Sequence, residues 1–193
     1  MNYLAHLFLA ADSPQSRIGN LAGDFVKGRL DDSIPAEIVN GIREHRNIDA
    51  FTDSHPSTAA FRRRLFPEFG HYARVIADIF YDHFLAADFE RYASEPLEAF
   101  IARVHREIDE HAYLLPARLK WVYPRMRDQQ WLLSYRSVKG IEIALRNTSR
   151  RLSRSPELHR SIHHLAGSSR ETLSQHFHSF FPDVIRYALR LRS

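Results

Sequence analysis

No stretch of this chain alternates apolar and polar residues at a period of two; wherever a pattern exists, apolar residues recur three and four positions apart. That pattern makes helices the organising elements and leaves no strand around which a sheet could form. The Gly-rich phosphate loops that follow strands are absent, as is a G-x-S-x-G elbow. Proline and glycine punctuate the periodic stretches at Pro14, Gly19, Gly28, Pro35, Pro56, Pro67, Gly70, Pro96, Pro116, Pro124, Gly140, Pro156 and Pro182. Between them the spacing predicts helices over 2–11, 15–29, 35–54, 57–66, 70–89, 96–113, 117–133, 136–152 and 156–180, with a last one over 182–191. Gly19 and Gly23 mark a close packing or an irregular turn in the second. Pro35 suits the first turn of the third. Helix 70–89 carries Val75, Ile76, Ile79, Phe80 and Phe84 on its apolar side. At 193 residues the expected result is one all-α domain over 1–193, an irregular helical bundle.

The absence of cysteine excludes disulfides, thiolate metal sites and a cysteine nucleophile. No run is long enough to span a bilayer. Met1 to Ala11 is apolar but short, contains His6 and has no basic stretch before it, so no signal peptide is expected and the location should be cytoplasmic. The net charge of +4 is uneven. Residues 139–193 hold 10 Lys/Arg against 4 Asp/Glu, while the first 138 hold 17 against 19. A basic C-terminal third suits an acidic partner.

The chemistry is concentrated before residue 90. His45, Asp49 and Asp53 sit at i, i+4 and i+8, one polar stripe on a helix, with Ile38, Ile42, Ile48 and Phe51 elsewhere around it. Such a stripe can present two or more ligands to one metal. Asp78 and Asp82 repeat the spacing in an apolar helix, with His83 adjacent. Buried carboxylates need a compensating charge, either a divalent cation or an arginine such as Arg43, Arg46 or Arg74. His6 and Asp24 are further polar groups amid apolar neighbours. Singly, each has a plainer reading: His6 as a satisfied core residue, Asp24 as a turn residue, the stripe as a solvated face, Asp78 and Asp82 as an ion-pair cluster with Arg46. Four segments doing the same thing point to a metal site. Imidazole and carboxylate donors without sulfur suit Mn²⁺, Fe²⁺, Co²⁺ or Zn²⁺, and Mg²⁺ where carboxylates dominate. Such an ion activates water at neutral pH and neutralises phosphoryl charge. His159, His163, His164, His176 and His178 read as surface or core residues, because no carboxylate is spaced among them.

These residues carry a resemblance. The opening Asn2-Tyr3-Leu4-Ala5-His6, the run Gly19-Asn20 to Asp24 and Gly28, and Gly41 through His45-Arg46 to Asp49 and Asp53 resemble the acyl carrier protein phosphodiesterase family. Asp82-His83 and Trp131-Leu132-Leu133-Ser134-Tyr135-Arg136 are similar too. The family looks like a divergent branch of the HD phosphohydrolases. Ordinary members of that group carry an adjacent His-Asp pair; this chain has none, only the reverse order in Asp82-His83. The resemblance implies an HD-phosphohydrolase-like helical fold and hydrolysis of the phosphodiester joining 4′-phosphopantetheine to a serine of holo acyl carrier protein, with Mn²⁺ as cofactor. On that basis His6, Asp24, His45, Asp49, Asp82 and His83 are the expected metal ligands. Asp24, Arg46, Asp49 and His83 are the expected catalytic groups, and Asp53 and Asp78 should orient the ligands. Arg62, Arg63, Arg64, Arg150 and Arg151 are the expected docking residues for the acidic carrier protein. No nucleic acid is required. Two other readings stay open: an HD-type hydrolase of nucleotides or small phosphodiesters, and a non-enzymatic helical module binding an acidic partner.

Overall fold

The computed structural model describes residues 1–152, 154 and 156–192. Among them are ten α-helices, short 3₁₀ segments and no strand. The helices are α1 (Tyr3–Leu9), α2 (Pro14–Ala22), α3 (Ala36–Ser54), α4 (Pro56–Phe69), α5 (Ala73–Ala87), α6 (Leu97–Glu110), α7 (Ala117–Asp128), α8 (Trp131–Ser134), α9 (Val138–Ser149) and α10 (Gly167–Arg190).

The centre of the bundle is α5, against which α1, α4, α9 and α10 pack. Ile76, Ala77, Phe80, Tyr81, Phe84 and Leu85 are all fully buried, and the helix is enclosed on every side from Ile79 to Ala86. Its polar residues must therefore be satisfied from within the protein. One of them, Asp82, has no solvent exposure. It accepts the Leu4 and Ala5 amide N–H groups, at 2.8 and 3.1 Å. Those are first-turn donors of α1, whose N-cap Asn2 makes no side-chain cap. A residue 77 and 78 positions away thus caps α1.

Helices α2 and α3 cross where two glycines meet. A β-carbon on Gly19 would stand 2.7 Å from the Gly41 Cα, and one on Gly41 would stand 2.6 Å from the Ser16 carbonyl oxygen. This contact is the close packing that the sequence suggests for Gly19.

Several boundaries differ from the sequence reading. The expected helix 15–29 stops at Ala22, and the chain turns through Gly23–Phe25. The expected helix 70–89 begins with a 3₁₀ turn, Gly70–Tyr72. The expected helix 117–133 divides at Gln130, which takes a left-handed conformation (φ 50°) usually left to glycine or asparagine. The region 156–191 divides at a different place. Leu158–Leu165 is 3₁₀, the break falls at Gly167 (φ 54°), and α10 runs straight through Pro182. A proline inside a helix costs roughly 3 kcal/mol. Phe177, Phe180, Phe181 and Val184 are fully buried around it, and each contributes about 1.5–3 kcal/mol, so burial outweighs the break.

Burial pushes the Asp82 carboxyl up to about 7 against the pull of the two amides it accepts. The folded chain therefore keeps a proton that the unfolded chain releases near pH 4. This group's stabilising contribution is present below that pH and is lost as the pH rises through about 7. Thermal melts between pH 4 and 8 should show that decline in the native protein and a flatter profile in Asp82→Asn. Identical profiles would rule the account out. At pH 4 the variant should also be less stable, by about 1–3 kcal/mol, because its amide leaves one α1 N–H unpaired, and that gap should close as the pH rises.

Candidate metal centre

The site is assembled from α1, α3 and the turn after α2. His45 is fixed first. Its Nδ1 lies 2.8 Å from the Asn20 carbonyl oxygen at the end of α2 and donates to it, which leaves Nε2 with a free lone pair. Gly23 makes room for the ring, since a β-carbon there would sit 2.2 Å from the His45 Cγ. The irregular turn at Gly23 carries Asp24 to the same place, with its Oδ1 3.9 Å from His45 Nε2.

His6 comes from α1. Its ring stacks on that of His45 with centroids 3.7 Å apart. Asp49, one turn along α3 from His45, bridges the two imidazoles: Oδ1 is 3.1 Å from His6 Nε2 and Oδ2 is 3.3 Å from His45 Nε2. The donor atoms of His6, His45 and Asp49 all lie within 4.8 Å of one another. Two imidazoles and one carboxylate converging in this way form a donor set that fits a divalent first-row cation. Burial lowers the His6 pKa to about 4 and keeps the ring neutral, the form a metal requires.

The α-amino group of Met1 lies in the same cluster, 3.0 Å from Asp49 Oδ1 and 3.2 Å from Asp78 Oδ1. Burial opposes its charge, but Asp78 and Asp49 outweigh that and push it up to about 11. Burial also opposes ionisation of Asp49, yet the amine and the two imidazoles hold its carboxyl well below the usual range. At Asp78 burial prevails and the pKa is raised. A backbone amine was outside any reading of side-chain motifs, and nothing in the residue types at Met1 signalled it.

Among the described residues Asp78 is met by Arg62 rather than by Arg43, Arg46 or Arg74. Arg43 is exposed, on the outer face of α3. Arg46 donates to the Val26 carbonyl oxygen at 3.1 Å. Arg74 pairs with Asp53 at 2.5 Å. Arg62, expected on a docking surface, is turned inward instead: it pairs with Asp53 at 2.6 Å and approaches Asp78 at 3.9 Å. Asp53 is thus spent on two arginines. Arg63, Arg64, Arg150 and Arg151 are exposed.

Two expected ligands lie outside the cluster. Asp82 is committed to capping α1, as described above. His83, next along α5, projects about 100° away and lies 2.8 Å by Nδ1 from the Tyr135 carbonyl oxygen. Its Nε2 is buried with no hydrogen-bond partner among the described residues. The dipeptide Asp82-His83 therefore serves the helical core on two different sides.

Asp24, His45 and Asp49 line an open pocket that Lys27, Arg46 and Arg74 also border. Asp24 and Asp78 line a neighbouring pocket with Arg118 and Arg151. A carboxylate centre ringed by cations suits a ligand that bears both a metal-seeking oxygen and negative charge. A second imidazole–carboxylate group lies far along the chain. Glu68 of α4 reaches His163 and His164 at 3.2 and 3.1 Å, supplying the carboxylate that spacing alone did not reveal.

Fold and site together define an all-α protein with an imidazole–carboxylate centre in a basic-rimmed pocket. The profile of the family described as acyl carrier protein phosphodiesterase matches residues 1–184, so the chain belongs to that family. Among relatives bearing the name acyl carrier protein phosphodiesterase, that of Photorhabdus laumondii is 33% identical over 181 residues, 93% of this chain and 87% of its own length. The relative from Escherichia coli K12 is 31% identical over 191 residues, 98% of each chain. No solved structure gives a significant match. No helix among the described residues is long and apolar enough to cross a membrane.

Proposed function

We propose that this protein hydrolyses the phosphodiester joining 4′-phosphopantetheine to a serine of acyl carrier protein, using a divalent cation held by His6, His45 and Asp49. The observation that carries the reading is the convergence of those three donors, of which His45 and Asp49 line an open pocket, in a chain of this family. Asp24 stands beside them at the pocket wall. Mn²⁺ is the cation we expect, with Fe²⁺, Co²⁺, Zn²⁺ and Mg²⁺ as alternatives of compatible chemistry. When bound, the ion supplies Lewis acidity toward a phosphoryl oxygen and toward water. The kinship to HD phosphohydrolases belongs to the same proposal, supported by the all-α fold and the His/Asp donor set.

The chain's own groups then have definable tasks. Arg46, in the same pocket, binds the non-bridging phosphoryl oxygens. Asp24 orients water and accepts its proton. Water adds to phosphorus and the bond from phosphorus to the serine oxygen breaks. The serine oxygen leaves with a proton, giving apo carrier protein and 4′-phosphopantetheine. Lys27, Arg74, Arg118 and Arg151 around the two pockets steer an acidic carrier protein, which makes encounter salt-sensitive.

The test is mass spectrometry of holo acyl carrier protein incubated with the protein and Mn²⁺. The expected result is loss of the phosphopantetheine mass, abolished by EDTA and restored by added metal. Carrier protein left intact with every metal tried would reject the substrate assignment. Cleavage undiminished by EDTA would reject the metal.

A further inference from the structure

The segment Trp131 to Arg136, one of the stretches that carry the family resemblance, contributes nothing to the His/Asp centre. Trp131, Ser134 and Tyr135 instead border a cavity of about 250 Å³ between α8, α9 and the start of α1. Gly140 lets α8 and α9 close upon each other there, since a β-carbon would fall 1.9 Å from the Ser134 carbonyl oxygen.

Tyr3, Trp131, Ile143 and Ala144 give the cavity an apolar wall, with the Tyr3 and Trp131 rings stacked at 6.4 Å. Ile143 is 51% exposed, an apolar side chain left in water at its edge. Three amide side chains, Asn2, Gln129 and Asn147, interrupt that wall. Two are held in place: Asn2 donates to the Tyr135 hydroxyl at 3.0 Å, and Gln129 accepts from Trp131 Nε1 at 2.9 Å. The cavity adjoins a pocket that reaches Asp24 at the edge of the candidate centre. Asn2, Tyr3, Thr148 and Arg151 line both it and the pocket that contains Met1, Asp24 and Asp78.

We infer that this cavity holds the pantetheine arm of the substrate while the phosphodiester lies at the His/Asp centre. The inference rests on the function proposed above. The arm is a flexible chain whose apolar segments are interrupted by two secondary amides and a hydroxyl, and the cavity offers apolar walls interrupted by primary amides and by the Ser134 and Thr148 side chains. A purely hydrocarbon occupant would leave those amides unmatched. The volume, about 250 Å³, falls just below the usual range for pockets that hold drug-sized ligands, which suits one slender chain. Arg151, at the junction of the two spaces, is placed to meet the phosphate end.

The test uses free D-pantetheine and does not require turnover. Trp131 lines the cavity, whereas the other tryptophan, Trp121, is 66% exposed and lies under the Arg125 guanidinium. In a Trp121→Phe background, pantetheine should change the Trp131 fluorescence saturably. Ala144→Phe, which fills the cavity, should weaken that binding at least about tenfold. Asn147→Leu, a milder change on α9, should weaken it in the same direction. No saturable change with the native cavity would overturn the inference, as would equal affinity in both folded variants. The outcome is separable from the proposed function. Cleavage of holo carrier protein without pantetheine binding removes the cavity assignment alone. Pantetheine binding without cleavage removes the hydrolase reading and leaves the subsite.

Discussion

Asp49→Asn is expected to lower turnover of holo acyl carrier protein by about 10³-fold while the protein stays folded. The two Asp49 oxygens face His6 Nε2, His45 Nε2 and the Met1 amine, so this carboxylate joins every other donor of the cluster. Asparagine keeps the shape and removes the charge. Neutralisation of phosphoryl charge by a held cation is worth several kcal/mol at the transition state, and each ~1.4 kcal/mol is about tenfold in rate. The fold tolerates the change because the Asp49 side chain is 31% exposed and can be rehydrated. Steady-state turnover with Mn²⁺, alongside a thermal melt, decides the matter. A folded variant near the wild-type rate would remove Asp49 from the chemistry.

The second large effect is on stability. Glycine to alanine inside a helix ordinarily gains about 1 kcal/mol. Gly41→Ala should reverse that sign. Its new methyl would meet the Ser16 carbonyl oxygen at 2.6 Å and the Gly19 Cα at 2.8 Å, both backbone atoms that cannot rotate away. Relief requires α2 and α3 to move apart, at a net cost of about 3 kcal/mol. For a chain of this size that is a fall of roughly 6–12 °C in Tm. The same movement draws the Asn20 carbonyl away from His45, so metal affinity should fall as well, about 10- to 100-fold. A melting temperature equal to or above the wild type would show that the crossing is looser than drawn.

The helices were legible because the apolar period is local information, and so was the i, i+4 relation of His45 and Asp49. Which neighbour a side chain meets across the bundle was not. Asp82 and His83 share a dipeptide, yet on an enclosed stretch of helix adjacent residues face different elements, and only packing decides which. Asp53 continues the His45/Asp49 stripe in sequence, but the second turn beyond His45 carries it to Arg62 and Arg74. Gln130 broke a helix without a glycine to announce it. Gly167, the one glycine absent from the sequence punctuation in that region, set the true start of α10, while Pro182 yielded to the aromatic residues packed around it.

The borrowed cap on α1 has a consequence for how the protein comes into being. A seven-residue helix with no cap of its own is marginal in water. The capping carboxyl arrives only when Asp82, in the third turn of α5, has been brought against the opening of the chain, a closure spanning 77 residues. His6 is therefore presented to His45 and Asp49 by long-range closure, a slow class of event. A nascent or half-folded chain would hold the α3 donors without their α1 partner, so the three-donor centre would be complete only as one of the last acts of folding.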